Sequence, residues 1–216
     1  MSQSHNYRYT VQTHVGLKRK VNEDAVLALP DHNIWLVADG MGGHQAGDFA
    51  SQAVADAVAM IPLGLDPAAR MHALRDAICG AHRLIRAEAE ARGSGVIGAT
   101  VVTLMMANGH FVGLWAGDSR IYRLRGGLIE MLTTDHSSVA EYVLAGKMTW
   151  DEAEQHPQSN AITRAAGVGD VLELDKVRGE ALAGDRFLVC SDGLTKYATF
   201  AMLQDILSTT PIETVV

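Results

Sequence analysis

The stretch Ile34-Trp35-Leu36-Val37-Ala38-Asp39-Gly40-Met41-Gly42-Gly43 constrains this chain more than any other. An apolar run of strand character ends abruptly in a carboxylate, and glycines follow at once. A buried strand would hold the acid rigidly, and the glycines let backbone carbonyls and amides approach whatever the acid binds. Two later segments repeat the pattern: Phe111 to Ala116 leads into Gly117-Asp118-Ser119, and Phe187 to Cys190 leads into Ser191-Asp192-Gly193. A fourth acidic pair, Glu23-Asp24, stands in Val21-Asn22-Glu23-Asp24-Ala25. One Asp before a Gly is ordinarily a turn residue. Three such acids, each ending a buried-looking run, point instead to a ligand site. Carboxylates gathered at neighbouring strand ends repel one another unless protonated or neutralised, and a hard divalent cation with oxygen ligands is the ordinary solution.

The rest of the composition narrows the partners. A net charge of -7 over 216 residues, with no basic cluster longer than Lys18-Arg19-Lys20, argues against nucleic acid or an anionic membrane. Met1 to Thr10 has no apolar signal core, and the longest apolar run, around Thr100 to Ala107, is too short to span a bilayer. Cys79 and Cys190 fall in a predicted helix and a predicted buried strand, which fits a reduced, cytoplasmic setting better than a disulfide scaffold.

Taken in order, Tyr7 to His14 alternates as a first strand and Ala25 to Leu29 as a second, and Pro30-Asp31-His32-Asn33 turns the chain into the strand ending at Asp39. Ala46 to Met60 has helical spacing. Asp66-Pro67 opens a second helix, with Met71, Leu74, Ile78 and Ile85 as its apolar stripe, His82 as a packing or surface residue and Gly93 as its stop. Asn108-Gly109 and Gly126-Gly127 mark two hairpins, Thr100–Met106 with Phe111–Ala116 and Arg120–Leu124 with Leu128–Leu132, and together they imply a meander. Ser138 with Glu141 and Thr149 with Glu152 are two capping boxes in a helical insertion at about 136–160. Val171 to Val177 and Arg186 to Cys190 resume strand, and Thr199 to Leu207 reads as an amphipathic helix. The expected fold is α+β: two antiparallel sheets packed together with helices on the outer faces, in one domain spanning 1–216. A doubly wound parallel sheet is the weaker alternative, since it needs a helix between nearly every pair of strands and these hairpin turns are too tight for that.

Five ordered motifs now carry a resemblance. Arg19-Lys20-Val21-Asn22-Glu23-Asp24, Asp39-Gly40-Met41-Gly42-Gly43-His44, Gly117-Asp118-Ser119-Arg120, His156-Pro157 with Asn160, and Ser191-Asp192-Gly193-Leu194 resemble those of the metal-dependent type 2C protein serine/threonine phosphatases, over nearly the whole chain from Tyr7. Among them the chain is most similar to small single-domain bacterial members, including the phosphatase that opposes the threonine kinase of type VI secretion. The resemblance implies a four-layer αββα sandwich with manganese or magnesium at one end of the sheets. In that scheme Asp39 bridges two ions, the Gly40 carbonyl helps bind the first and Asp192 binds the second. Glu23 and Asp24 act mainly through coordinated water, Asp118 with Asp192 holds a third, weaker ion, and Arg19 clamps the substrate phosphate. Two divalent ions sharing a water lower its pKa and align it with a phosphoryl group, so no Ser or Cys nucleophile is needed. Arginine suits the clamp because its planar fork pairs two phosphate oxygens.

The implied partners are a phosphoprotein substrate and a cognate Ser/Thr kinase, with the chain a monomer. Two alternatives from other classes stand beside this reading: a catalytically weak binding or regulatory module of the same fold, and a metal-dependent hydrolase of small phosphoesters. Two departures bear on the carry-over. Met41 stands where animal relatives have a histidine that is a candidate general acid, and methionine donates no proton; His44 is near in sequence. Thr210-Pro211-Ile212-Glu213 opens a helix with only Thr214-Val215-Val216 after it, and the family's final Asp-Asn pair and strand are missing, so a fragment of a longer protein is expected.

Overall fold

The computed structural model describes residues 7–16, 21–42, 46–93 and 95–215. Pro30 presets φ for a 3-10 turn, Pro30–His32, and Asn33 closes it in the left-handed conformation (φ 51°), so the chain reverses between strand β1 (Asp24–Leu29) and strand β2 (Ile34–Met41). Helix α1 (Ala46–Ala59) follows, then helix α2 (Pro67–Arg92). The Asp66 side chain accepts the amides of Ala68 and Ala69, both at 2.9 Å, and Gly93 ends α2 in the left-handed region (φ 56°). Strand β3 (Gly98–Ala99) leads into β4 (Val101–Ala107), and Asn108-Gly109, both with positive φ, turn it into β5 (His110–Ala116). A second hairpin joins β6 (Arg120–Arg125) to β7 (Leu128–Met131). The helical interval holds α3 (Ala140–Leu144) and α4 (Trp150–Glu154); then come β8 (Asp175–Glu180), β9 (Arg186–Cys190), the short α5 (Asp192–Thr195) and α6 (Phe200–Thr209).

All strand pairs are antiparallel and they form two sheets. One runs β1-β2-β4-β5-β8 with β3 paired to β2; the other runs β7-β6-β9. The period of two in β2 shows how they are layered. Ile34, Leu36 and Ala38 meet α1 and α2 on one face, whereas Trp35 and Val37 meet Ile121, Phe187 and Val189 of the second sheet on the other. Both faces of the large sheet are therefore buried, which accounts for the apolar run Ile34 to Ala38 in β2 and for a β4 in which only Thr103 is polar. On the far side of the second sheet Leu203 of α6 packs against Tyr122 and Cys190. This is the expected four-layer sandwich.

Four expectations are corrected. Tyr7 to His14 forms no strand: its alternation lays the rings of Tyr7 and Tyr9 edge-on against Trp35, at 5.8 and 6.0 Å, without a backbone ladder. The strand expected at Val171 to Val177 begins only at Asp175, because Leu172 and Leu174 leave the sheet to fill the core under the helices. The two central hairpins are not one meander, since the chain changes sheets between β5 and β6. The Ser138–Glu141 capping box does not close; the Ser138 hydroxyl donates to the Ala161 carbonyl at 3.3 Å, beside a bridge between Ser137 and Ile162. The second box, Thr149 with Glu152, forms as expected.

Candidate metal centre

Strand β2 runs two residues beyond Asp39, where Gly40 and Met41 pair with Ala99 and Gly98 of β3. It can do so because Gly40 lies flat against the start of α1: a Cβ on Gly40 would sit 2.0 Å from the Gly47 carbonyl oxygen. Asp39 is consequently held inside a ladder instead of at a frayed end. Its amide donates to Thr100 Oγ1 (2.9 Å), its carbonyl accepts from the Thr100 amide (2.8 Å), and Thr100 Oγ1 is bonded to the Ser119 hydroxyl (2.7 Å). The same register sets Asp24 directly opposite Asp39, and the Gly40 amide donates to the Glu23 carbonyl at 3.0 Å. Gly47 also leaves room for Glu23, whose Oε1 lies 2.7 Å from where a Cβ would stand.

Asp118 sits at the crossing between the sheets. Gly117 adopts φ 115° with Thr100 side-chain atoms 2.7 Å from its would-be Cβ, so no larger residue fits there. His136, stacked on Trp115, accepts the Gly117 amide through Nδ1 and donates its own amide to the Gly117 carbonyl, both at 3.0 Å. Asp192 opens α5 directly after β9, and its neighbour Ser191 donates a hydroxyl to Asp24 at 2.9 Å. Thus β1, β2, the sheet crossing and β9 each bring one Asp to the same end of the sandwich.

The electrostatics confirm their closeness. Burial, then Asp24, Asp192 and Asp118, push the Asp39 carboxyl up to about 9. Burial first and Asp192 next push Asp118 up to about 7. Among the described residues no three acids, histidines or cysteines stand in a ready-made metal cage. The donor chemistry of Asp24, Asp39, Asp118 and Asp192 nevertheless fits a hard divalent ion: each offers carboxylate oxygens, and their repulsion is relieved by protonation or by a cation.

Arg19, Gly43 and His44 lie outside the described residues. Met41 is half-buried in β2 against Gly98. His156 and Asn160 lie in the turns after α4, where the His156 ring stacks on Tyr142 and accepts the Gln158 amide.

Two features went unread in the sequence. Lys196, one helical turn beyond Asp192, ion-pairs with it; that spacing was available as a signal. The other is a buried network around Arg120, for which no local signal exists. Arg120 grips Asp135 with two bonds (2.9 and 2.6 Å), pairs with Glu154 of α4 at 2.8 Å, donates to the Tyr122 hydroxyl at 3.1 Å and lies over the Trp150 ring. Asp118, Arg120, Asp135, Glu154, Asp192 and Lys196 line one small polar pocket, so α4 closes directly over the acids.

The protein phosphatase 2C family model matches residues 14–212. The chain belongs to the protein phosphatase 2C family. It is 38% identical over 193 residues to the serine/threonine protein phosphatase PstP of Mycobacterium tuberculosis, covering 87% of this chain but 36% of PstP, so it spans about a third of that relative. To the protein phosphatase PhpP of Streptococcus pneumoniae it is 36% identical over 206 residues, covering 91% of this chain and 82% of PhpP. Among solved structures, PppA, a key regulatory component of T6SS in Pseudomonas aeruginosa, superposes with a TM-score of 0.86 at 45% identity, covering 94% of this chain and 84% of PppA. The catalytic domain of PstP in complex with two manganese ions superposes with a TM-score of 0.79 at 34% identity, covering 95% and 86% of the two chains.

Proposed function

We propose that this chain is a protein serine/threonine phosphatase that hydrolyses phosphoserine and phosphothreonine at two manganese or magnesium ions. The observation that carries this reading is the convergence of Asp24, Asp39, Asp118 and Asp192 on one corner, with Asp39 raised to about 9 by burial first and then by its acidic neighbours. The two manganese ions in the structure of PstP support it. Bound there, the ions supply an activated water as nucleophile and neutralise the phosphoryl oxygens. The chain's own residues would do the rest: Asp39, Asp192 and the Gly40 carbonyl would hold the ions, Glu23 and Asp24 would orient coordinated solvent, and Arg19 would hold the phosphate. Met41 gives no proton, so the leaving alkoxide takes its proton from solvent or another group.

The whole chain forms one catalytic domain in this reading, working as a cytoplasmic monomer opposite a Ser/Thr kinase. No helix among the described residues is long and apolar enough to cross a membrane. The 45% identity to PppA supports a substrate within a T6SS regulatory pathway. Phosphate release at saturating manganese from a phosphothreonine peptide, a nucleotide and a sugar phosphate tests the substrate class. The peptide should be preferred by at least about tenfold in kcat/KM, a difference of about 1.4 kcal/mol; equal or better turnover of the small esters would assign the chain to small-molecule hydrolysis.

Two further outcomes are expected. Arg19→Ala should mainly raise KM for the phosphopeptide, because phosphate contacts made in both ground and transition states are uniform binding. Unchanged steady-state constants would place Arg19 outside the site. The segment from Ser138 to His156 supplies none of the proposed metal ligands, and through Glu154 its α4 lines the same pocket as Asp118 and Asp192. Its replacement by a short linker should depress turnover of a phosphoprotein more than that of a small aryl phosphate. An equal loss on both would remove any role in protein-substrate choice.

A further inference from the structure

Lys196 stands at the point where the family resemblance gives Asp118 and Asp192 a third, weaker divalent ion. It caps the C-terminal end of α5, and its ammonium pairs with the Asp192 carboxylate while lining the pocket that Asp118 also lines. The lysine side chain is 29% exposed, and that of Asp192 is 19% exposed, so the pair is only partly screened by solvent.

The other cation lining this pocket is already committed. The Arg120 guanidinium is bound by Asp135, Glu154 and the Tyr122 hydroxyl, and it faces Trp150. Asp118 and Asp192 therefore take their compensating charge from Lys196. An ammonium suits this role, being a compact point charge on a flexible four-carbon stem. A divalent ion entering the same corner would have to displace it and would be repelled by it while it remained.

We propose that Lys196 serves as a tethered replacement for the third divalent ion, neutralising the Asp118–Asp192 corner so that the chain holds two divalent ions and not three. This rests on the two-metal reading above. Its consequence is that the third-ion corner carries its countercharge whatever the metal concentration, so only the two-ion centre responds to metal supply.

Manganese titration calorimetry on the whole chain, with metal analysis after dialysis, tests it. The wild type should bind two ions. Lys196→Met should add a third, weaker site whose affinity exceeds any residual wild-type binding there by about tenfold or more, the least expected from removing a positive charge beside two carboxylates. Lys196→Arg, which keeps the charge, should still bind two, and Asp118→Asn added to Lys196→Met should abolish the gained site. Thermal melts of each variant without metal establish that it is folded, and Lys196→Gln substitutes for Lys196→Met if the latter does not fold. Three ions on the wild type, or an unchanged count and affinity in the folded Lys196→Met or Lys196→Gln variant, overturns the proposal. A wild type that binds no manganese overturns the two-metal reading itself.

Discussion

Asp39→Asn should abolish manganese-dependent turnover while leaving the fold standing. The substitution keeps the shape of a side chain whose backbone is pinned on both sides by Thr100, and it removes the one charge shared by the proposed ion pair. A loss in kcat of about a thousandfold or more is expected, corresponding to about 4 kcal/mol of barrier. Retention of more than a few per cent of wild-type activity at saturating manganese would contradict the bridging role. Stability should move the other way when divalent ions are absent. The Asp39 pKa is about 9 in the fold against 3.8 for the free group, so the folded state holds this proton more tightly than the unfolded one. Below about pH 4 both states are protonated and the group is neutral in effect. As pH climbs from about 4 to about 9 the folded protein loses stability, and above that the full penalty is felt. Asparagine does not titrate, so the metal-free variant should melt above the wild type at pH 8, with the gap closing toward pH 4. An identical pH dependence in both proteins would show that Asp39 is not under this strain.

Arg120→Ala should be the most destabilising single change in the second sheet. Asp135 and Glu154 have side chains only 5% and 8% exposed, and without Arg120 both are left buried without their partner. Breaking a buried pair in this way costs about 3–5 kcal/mol. The Tyr122 hydroxyl and the Trp150 face lose their partner in the same step, so α4 loses its anchor over the acids. Urea unfolding measures this directly. Arg120→Lys should recover only part of the loss, since an ammonium cannot reproduce the two parallel bonds to Asp135. A loss below about 1 kcal/mol for Arg120→Ala, the range of exposed ion pairs, would mean that the network opens to water at little cost.

Whatever was written in local chemistry was legible before the structure. Asp66-Pro67 and Gly93 bound α2 because capping is a matter of a few neighbouring residues, and Asn108-Gly109 marked its hairpin because positive φ is itself a local demand. The acids Asp39, Asp118 and Asp192 stood out for the same reason: each ends or interrupts an apolar run. The partition of strands between sheets was not legible, because no local rule says which sheet a strand joins and only Gly117, with its positive φ, marks the crossing. Nor was the end of β2 at Met41 legible, since it depends on Gly40 meeting Gly47 of α1. The segment from Tyr7 shows the opposite failure: alternation true to a strand is satisfied by ring packing on Trp35 alone. Arg120, Asp135 and Glu154 come from three separate elements, and no spacing rule links them before the fold does.

Phosphate release from a phosphothreonine peptide, followed as manganese is titrated into chelator-stripped protein, tests the central claim most directly. The account predicts negligible release from the stripped protein, a rise to full turnover with manganese, and no rise at any manganese concentration for Asp39→Asn. Full release without divalent metal, or manganese-driven release by Asp39→Asn equal to that of the wild type, would contradict it.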